Sequence, residues 1–168
     1  YRFRLEQNLR EAVEKQQLSL VYQPQVELRT GNIIGVEALS RWTHPRLGQV
    51  VPTEFIATAE RIGMIKPLTE WVLKTACSQA VSWKKAGLPA IRMSVNISPV
   101  HFLDADFVSL IKQVLDETGM VPSELELEVT EGVVQTQQQN LCTFQALKEL
   151  GVLLAIDDFG TGYSSFAS

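Results

Sequence analysis

Asp157 and Asp158 stand side by side where an apolar run, Leu153 to Ile156, gives way to the glycine-bearing turn Phe159-Gly160-Thr161-Gly162. Desolvating one carboxylate is costly and placing two together is worse, so either the backbone turns both into water or a cation sits between them. Three more oxygen-bearing side chains, Glu37, Asn96 and Glu128, fall toward the ends of similar runs, which favours the cation. Carboxylates with one amide, and neither Cys nor a necessary His, suit Mg²⁺ or Mn²⁺. Ca²⁺ can compete for such oxygens, whereas zinc more often brings His or Cys. Adjacent acids at a strand end can each take one of two cations, with one carboxylate bridging. Two ions about 3.5–4 Å apart stabilise both the attacking and the leaving oxygen in phosphoryl transfer. Arg41, four residues from Glu37, offers a forked cation for a phosphate.

Placing these groups together is the work of strands. Tyr1 to Gln17 has helical apolar spacing, and its pattern starts without a capping residue, so Tyr1 reads as the cut end of a longer protein. Leu18 to Leu28 reads as a strand, Thr30-Gly31-Asn32 as a tight turn and Ile33 to Trp42 as a second strand, antiparallel to the first. His44-Pro45 and Leu47-Gly48 break the run. Helices are expected from Pro52 to Arg61 and from Pro67 to Lys85. Strands expected at Ile91 to Ser98, Leu125 to Glu131 and Leu153 to Asp157 then alternate with helices at Asp104 to Thr118 and Gln137 to Leu150. That rhythm signals parallel βα units.

Side-chain alternation decides between the α/β architectures. Gly35, Glu37, Leu39 and Arg41 share one face of the second strand and Ile34, Val36 and Ala38 the other. Ser94, Asn96 and Ser98 oppose Met93, Val95 and Ile97, while Glu126, Glu128 and Thr130 oppose Leu125, Leu127 and Val129. One face suits a layer of helices; the other is small or polar and turns acidic toward the carboxyl ends. An open doubly wound sheet wants both faces apolar, so the pattern points to a barrel interior. In a βα barrel, ligand groups gather at the carboxyl ends of the strands, where Glu37, Asn96, Glu128, Asp157 and Asp158 fall. The set reads as a metal-dependent phosphodiesterase. Glu126, by contrast, reads equally well as a solvated or paired structural acid.

Composition narrows the partners. The 168 residues are 45% hydrophobic with a formal net charge of −4, enough for a sizeable core and without the basic footprint that duplex nucleic acid requires. No signal peptide or apolar run of membrane-spanning length is present, so no direct membrane contact is expected and the setting is read as cytoplasmic, or as the cytosolic part of a membrane-anchored protein. Cys77 and Cys142 are expected as reduced, buried core thiols. His44 and His101 are expected in loops or caps, and Trp42, Trp71 and Trp83 in packing positions.

Glu37-Ala38-Leu39 with Arg41, Asn96-Ile97-Ser98, Glu128-Val129-Thr130-Glu131 and Asp157-Asp158-Phe159-Gly160-Thr161-Gly162-Tyr163-Ser164-Ser165 resemble, in order and spacing, the motifs of the EAL domain family of cyclic di-GMP phosphodiesterases, and Tyr22-Gln23-Pro24 fits the same pattern. The resemblance implies a modified TIM-type (β/α)8 barrel whose first strand runs antiparallel, with about the first five strands in this chain. On that reading residues 1–17 are a leading helix at the junction with an upstream domain, and residues 18–168 are the N-terminal two-thirds of the barrel. The lysine and glutamate that family members use to organise the water and the second metal would lie beyond Ser168. The implied activity is hydrolysis of cyclic di-GMP to the linear dinucleotide by a metal-activated water, with a non-catalytic cyclic di-GMP receptor as the alternative. Glu37, Asn96, Glu128 and Asp157 would be metal ligands, and Asp158 would serve the second ion. Glu37, Asp157 and Asp158 would be the catalytic carboxylates. Arg41 would hold a substrate phosphate, Gln23 would lie near a guanine, and Glu131 would anchor the Phe159–Ser165 loop. Two Mg²⁺ or Mn²⁺ ions, inhibition by Ca²⁺, a homodimer contact through that loop and an upstream sensory or cyclase-type domain complete the expectation.

Overall fold

The computed structural model describes residues 2–15, 17–135 and 137–157. Helix α1 (Arg2–Glu14) leads into β1 (Ser19–Val26), which turns back as β2 (Ile33–His44). At the turn Gly31 adopts φ 73°, a left-handed conformation that costs glycine little, and the Glu27 amide closes on the Asn32 carbonyl at 2.9 Å. β1 and β2 are antiparallel. β2 then runs parallel to β4 (Arg92–Asn96), β4 to β5 (Leu125–Thr130) and β5 to β6 (Leu153–Asp157), in the spatial order β1-β2-β4-β5-β6. Among the described residues β1 and β6 are edges and the sheet is not closed.

The crossovers are helical: α2 (Pro52–Ile62) and α3 (Ile65–Lys85) before β4, α4 (Phe107–Thr118) before β5, and α5 (Glu131–Gln135) with α6 (Gln137–Leu150) before β6. They cover one sheet face. Val36, Ala38, Met93, Val95, Leu125, Leu127 and Val129 are buried there in one cluster with Leu73, Ala76 and Cys77 of α3, Ile111, Val114 and Leu115 of α4, and Leu147 of α6. Burial of this kind contributes roughly 1.5–3 kcal/mol per large side chain, the main term holding helices to sheet. The other face carries Gln25, Glu37, Ser94, Glu126 and Glu128, as the two-residue alternation requires. Leu5, Leu9 and Ala12 of α1 join Trp42, Val50, Phe55, Ala59 and Leu68 in a second cluster, so the leading helix is built into the core. No helix among the described residues is long and apolar enough to cross a membrane.

Several local expectations are corrected. β2 continues to His44 because a short strand, β3 (Gly48–Val50), folds back on it and pairs Trp42 with Val50 and His44 with Gly48. The break at Pro45 is the hairpin turn, with His44 Nδ1 accepting the Arg46 and Leu47 amides at 3.1 and 3.2 Å. Three residues are too few to display a period of two. β4 stops at Asn96, and Ser98 caps a 3₁₀ turn at Pro99–Leu103; Asp104, expected to open the next helix, instead receives the Asp106 amide at 3.0 Å, and α4 starts at Phe107. β5 ends at Thr130, so Glu131 opens α5 instead of closing a strand. Cys77 is buried but Cys142 is exposed: the inward stripe of α6 runs Asn140, Phe144, Leu147, a three-and-four spacing that leaves residue 142 on the outside.

Candidate functional site

The inward face of β2 sets the site. Glu37 is half-buried on it, opposite Gln23 of β1 and Ser94 of β4 in the ladders. One layer toward the carboxyl ends, Asn96 closes β4 and donates from Nδ2 to Glu37 Oε2 at 2.9 Å. Asn96 is also the ladder partner of Glu128, and the Ile97 amide donates to the Glu128 carbonyl at 2.9 Å. Glu128 is only 5% exposed. In the last ladder Thr130 pairs with Asp157 through the backbone. The Asp157 side chain, all of Asp158 and the Phe159–Ser165 loop lie outside the described residues.

The donor set fits a hard divalent cation. Glu37 and Asn96 touch, Asn96 and Glu128 are neighbours in register, and the amide's nitrogen faces Glu37, so its carbonyl oxygen is the atom suited to a cation. Among the described residues no three His, Cys, Asp or Glu side chains gather closely enough to hold a metal by themselves. The expected set counts an amide among its members and draws its last acids from Asp157 and Asp158.

Beside these groups lies a cavity of about 470 Å³, lined by Glu37, Arg41, Glu60, Asn96, Ser98 and Thr130 among others. Arg41 is half-buried, and its Nη1 donates to the Ser40 carbonyl at 3.1 Å, which steadies the guanidinium at the cavity wall. A larger hollow of about 960 Å³ lies between α1 and α3, away from the sheet; of its charged residues Glu14, Glu70 and Lys74, the last two pair with each other at 3.0 Å. The smaller cavity, lined by Asn96 and Thr130, is the one that meets the carboxyl ends of β4 and β5. Glu131 is exposed at the start of α5, and the loop it was expected to anchor is outside the described residues. The sequence reading missed Glu60, whose Oε2 accepts the Ser98 hydroxyl at 2.6 Å. Helical spacing alone marks Glu60 as one polar residue among many.

The segment after Asn96 is tied to α2 and α3 by that contact and two more. Lys66 lies 3.3 Å from Asp104 Oδ2; the Asp106 amide, with smaller help from Lys66, holds the Asp104 carboxyl below its ordinary value. His101, expected in a loop or cap, is instead fully buried, with Nε2 2.8 Å from Thr69 Oγ1 and its ring against Phe107. Burial pushes the imidazole below its ordinary value, and Asp104 and Glu60 only partly oppose this. The unfolded chain therefore takes up a proton at a pH where the folded chain does not. Stability is expected to fall as pH drops through the unfolded value near 6.5 toward the lower folded one, by at most about 1.4 kcal/mol per pH unit. Urea denaturation midpoints at pH 7.5 and 5.5 check this. His101→Gln should flatten the difference, and an unchanged slope in that variant would assign it to other groups.

A mainly parallel sheet with helices on one face, an antiparallel first strand and a polar inward face bearing Glu37, Asn96 and Glu128 defines a barrel-type α/β domain. The EAL domain family profile matches residues 6–168, and the chain belongs to the EAL domain family. It is 47% identical to protein y4lL of Sinorhizobium fredii over 99% of this chain and 20% of that protein. It is 42% identical to the bifunctional diguanylate cyclase/cyclic di-GMP phosphodiesterase MucR of Pseudomonas aeruginosa over 94% of this chain and 23% of that protein. The solved MucR phosphodiesterase, in complex with c-di-GMP, superimposes with a TM-score of 0.89 at 41% identity, covering 96% of this chain and 66% of that one. The chain thus spans about a fifth of the length of these curated relatives.

Proposed function

We propose that the domain to which this chain belongs hydrolyses the second messenger cyclic di-GMP to linear pGpG with two divalent cations, Mg²⁺ or Mn²⁺. The observation that carries this reading is the Asn96–Glu37 hydrogen bond, with Glu128 beside Asn96 in register on the same inward face, next to a cavity that bears Glu37, Asn96 and Arg41. Relatives named for this activity support it. In it, Glu37, Asn96, Glu128 and Asp157 hold cation, Asp158 serves the second ion, and Glu37, Asp157 and Asp158 are the catalytic carboxylates. When bound, the cations supply Lewis-acid stabilisation of phosphoryl oxygens and acidify water. The protein's own part is to fix the carboxylates on rigid strand ends, to grip a phosphate oxygen with the fork of Arg41 and to meet a guanine edge with Gln23. Glu131 anchors the Phe159–Ser165 loop, through which two copies associate, and an upstream sensory or cyclase-type domain regulates the whole in the cytoplasm.

The test is conversion of cyclic di-GMP by the complete domain with Mg²⁺ or Mn²⁺, followed by chromatography of the product. Linear pGpG that disappears on chelation is the expected result. Ca²⁺, which takes more and longer oxygen contacts, is expected to bind without turnover. Cyclic di-GMP bound tightly but left intact under Mg²⁺ and Mn²⁺ would replace the enzyme with a receptor.

A further inference from the structure

Beside Glu37 and toward the amino ends of the strands, the inward face carries a second polar group that the proposed reaction does not use. Arg92 of β4 donates from Nη2 to Gln25 Oε1 of β1 at 3.3 Å, and its Nε lies 3.2 Å from Glu126 Oε2 of β5. The Nε hydrogen is not aimed at that oxygen, so the contact with Glu126 is ionic. Ser94 completes the group by donating to Glu126 Oε1 at 3.3 Å. Arg92 thus reaches past β2 to join β1 and β5. The space for this comes from Gly35, where a Cβ would stand 2.9 Å from Gln25 Oε1 and 2.9 Å from the Arg92 carbonyl oxygen.

Glu126 is the reason such a cation is needed. It lies two residues before Glu128 on the same face, about 7 Å along the strand, and beside Ser94, the ladder partner of Glu37. Its side chain is only 12% exposed, so water does little to screen it. Left uncompensated, a carboxylate there competes with Glu37 and Glu128 for any divalent ion in the interior and draws that ion toward the barrel floor.

Resting on the function proposed above, we infer that Arg92 is a positioning residue: a fixed internal cation that occupies Glu126, which shares a ladder layer with Glu37, and so reserves Glu37, Asn96 and Glu128 for divalent ions. This differs from a mere tie between strands in the sign of its effect on metal binding. Losing a structural tie loosens the ligands and weakens binding. Losing an internal cation deepens the negative potential, so the ion binds more tightly but in the wrong place.

The experiment measures Mn²⁺ affinity by calorimetry and cyclic di-GMP turnover in the full-length protein. Arg92→Met is expected to bind Mn²⁺ on the order of ten-fold more tightly while kcat falls by a similar factor, and Arg92→Lys should keep both near wild type. In Arg92→Met with Glu126→Gln, where the loose carboxylate is also gone, both quantities should return to within about three-fold of wild type. Unchanged or weaker Mn²⁺ binding in Arg92→Met, or no recovery in the double variant, overturns the inference. If Arg92→Met does not fold, Glu126→Gln alone decides the question. It leaves Arg92 uncompensated and should weaken Mn²⁺ binding on the order of ten-fold, and an unchanged affinity overturns the inference. A wild type that binds no Mn²⁺ overturns both readings, whereas a wild type that binds Mn²⁺ and turns over, with Arg92→Met unaltered, overturns this one alone.

Discussion

On the proposed function, Glu128→Gln is expected to remove metal-dependent turnover of cyclic di-GMP by more than about 100-fold, the upper end of what losing a mere outer-shell partner costs. The replacement has nearly the same volume at a position that is 5% exposed, so packing in β5 changes little. The charge, however, is gone. A carboxylate offers a divalent cation two anionic oxygens, and an amide offers one neutral oxygen and turns two N–H donors toward the same space. In the proposed set Asn96 already supplies the one amide, with its nitrogen committed to Glu37 at 2.9 Å, so a second amide would leave the ion with one anionic ligand fewer. The check is the rate of pGpG formation with Mn²⁺ alongside a Mn²⁺ titration and a circular dichroism spectrum. Turnover within ten-fold of wild type in a folded variant would remove Glu128 from the site.

The largest effect on stability is expected at Trp42. Trp42→Ala should cost about 3–5 kcal/mol, the range for deleting a fully buried aromatic side chain. Trp42 is 1% exposed and meets Phe55 of α2 edge-on at 6.2 Å and His44 at 6.0 Å. It is also the residue of β2 that pairs with Val50 of β3. Its loss therefore opens a void where three elements meet. α2 carries Thr53, Ile56 and Glu60 to the cavity wall, so on the proposed function loosening that helix should also reduce affinity for cyclic di-GMP. Urea denaturation measures the first effect, and a loss below about 1 kcal/mol would mean that the surrounding side chains collapse into the space.

How much of this was legible beforehand follows from the range of each interaction. Strand faces could be read because side chains alternate with a period of two, so Val36, Ala38, Met93 and Val95 separate from Glu37 and Ser94 without any tertiary information, and the burial follows that division. The parallel order could be read from the alternation of helical and extended runs, and the barrel-type class of fold from the polarity of one face. The candidate ligands stood out for a related reason: an acid or amide at the end of an apolar strand is conspicuous.

What the sequence by itself determined, then, were the periods and the placement of Glu37, Asn96 and Glu128 on the polar face of their strands. The tertiary structure alone decided which distant side chains meet. Ser98 finds Glu60, His101 finds Thr69, and Arg92 finds Gln25 and Glu126. These contacts depend on ladder register and on the angle at which α2 and α3 lie across the sheet. Neither leaves a periodic trace in the chain. The same reason hid β3, too short to show a period, and turned His101 from an expected loop residue into a buried one: burial there is set by Phe107 and Thr69, which arrive from other helices.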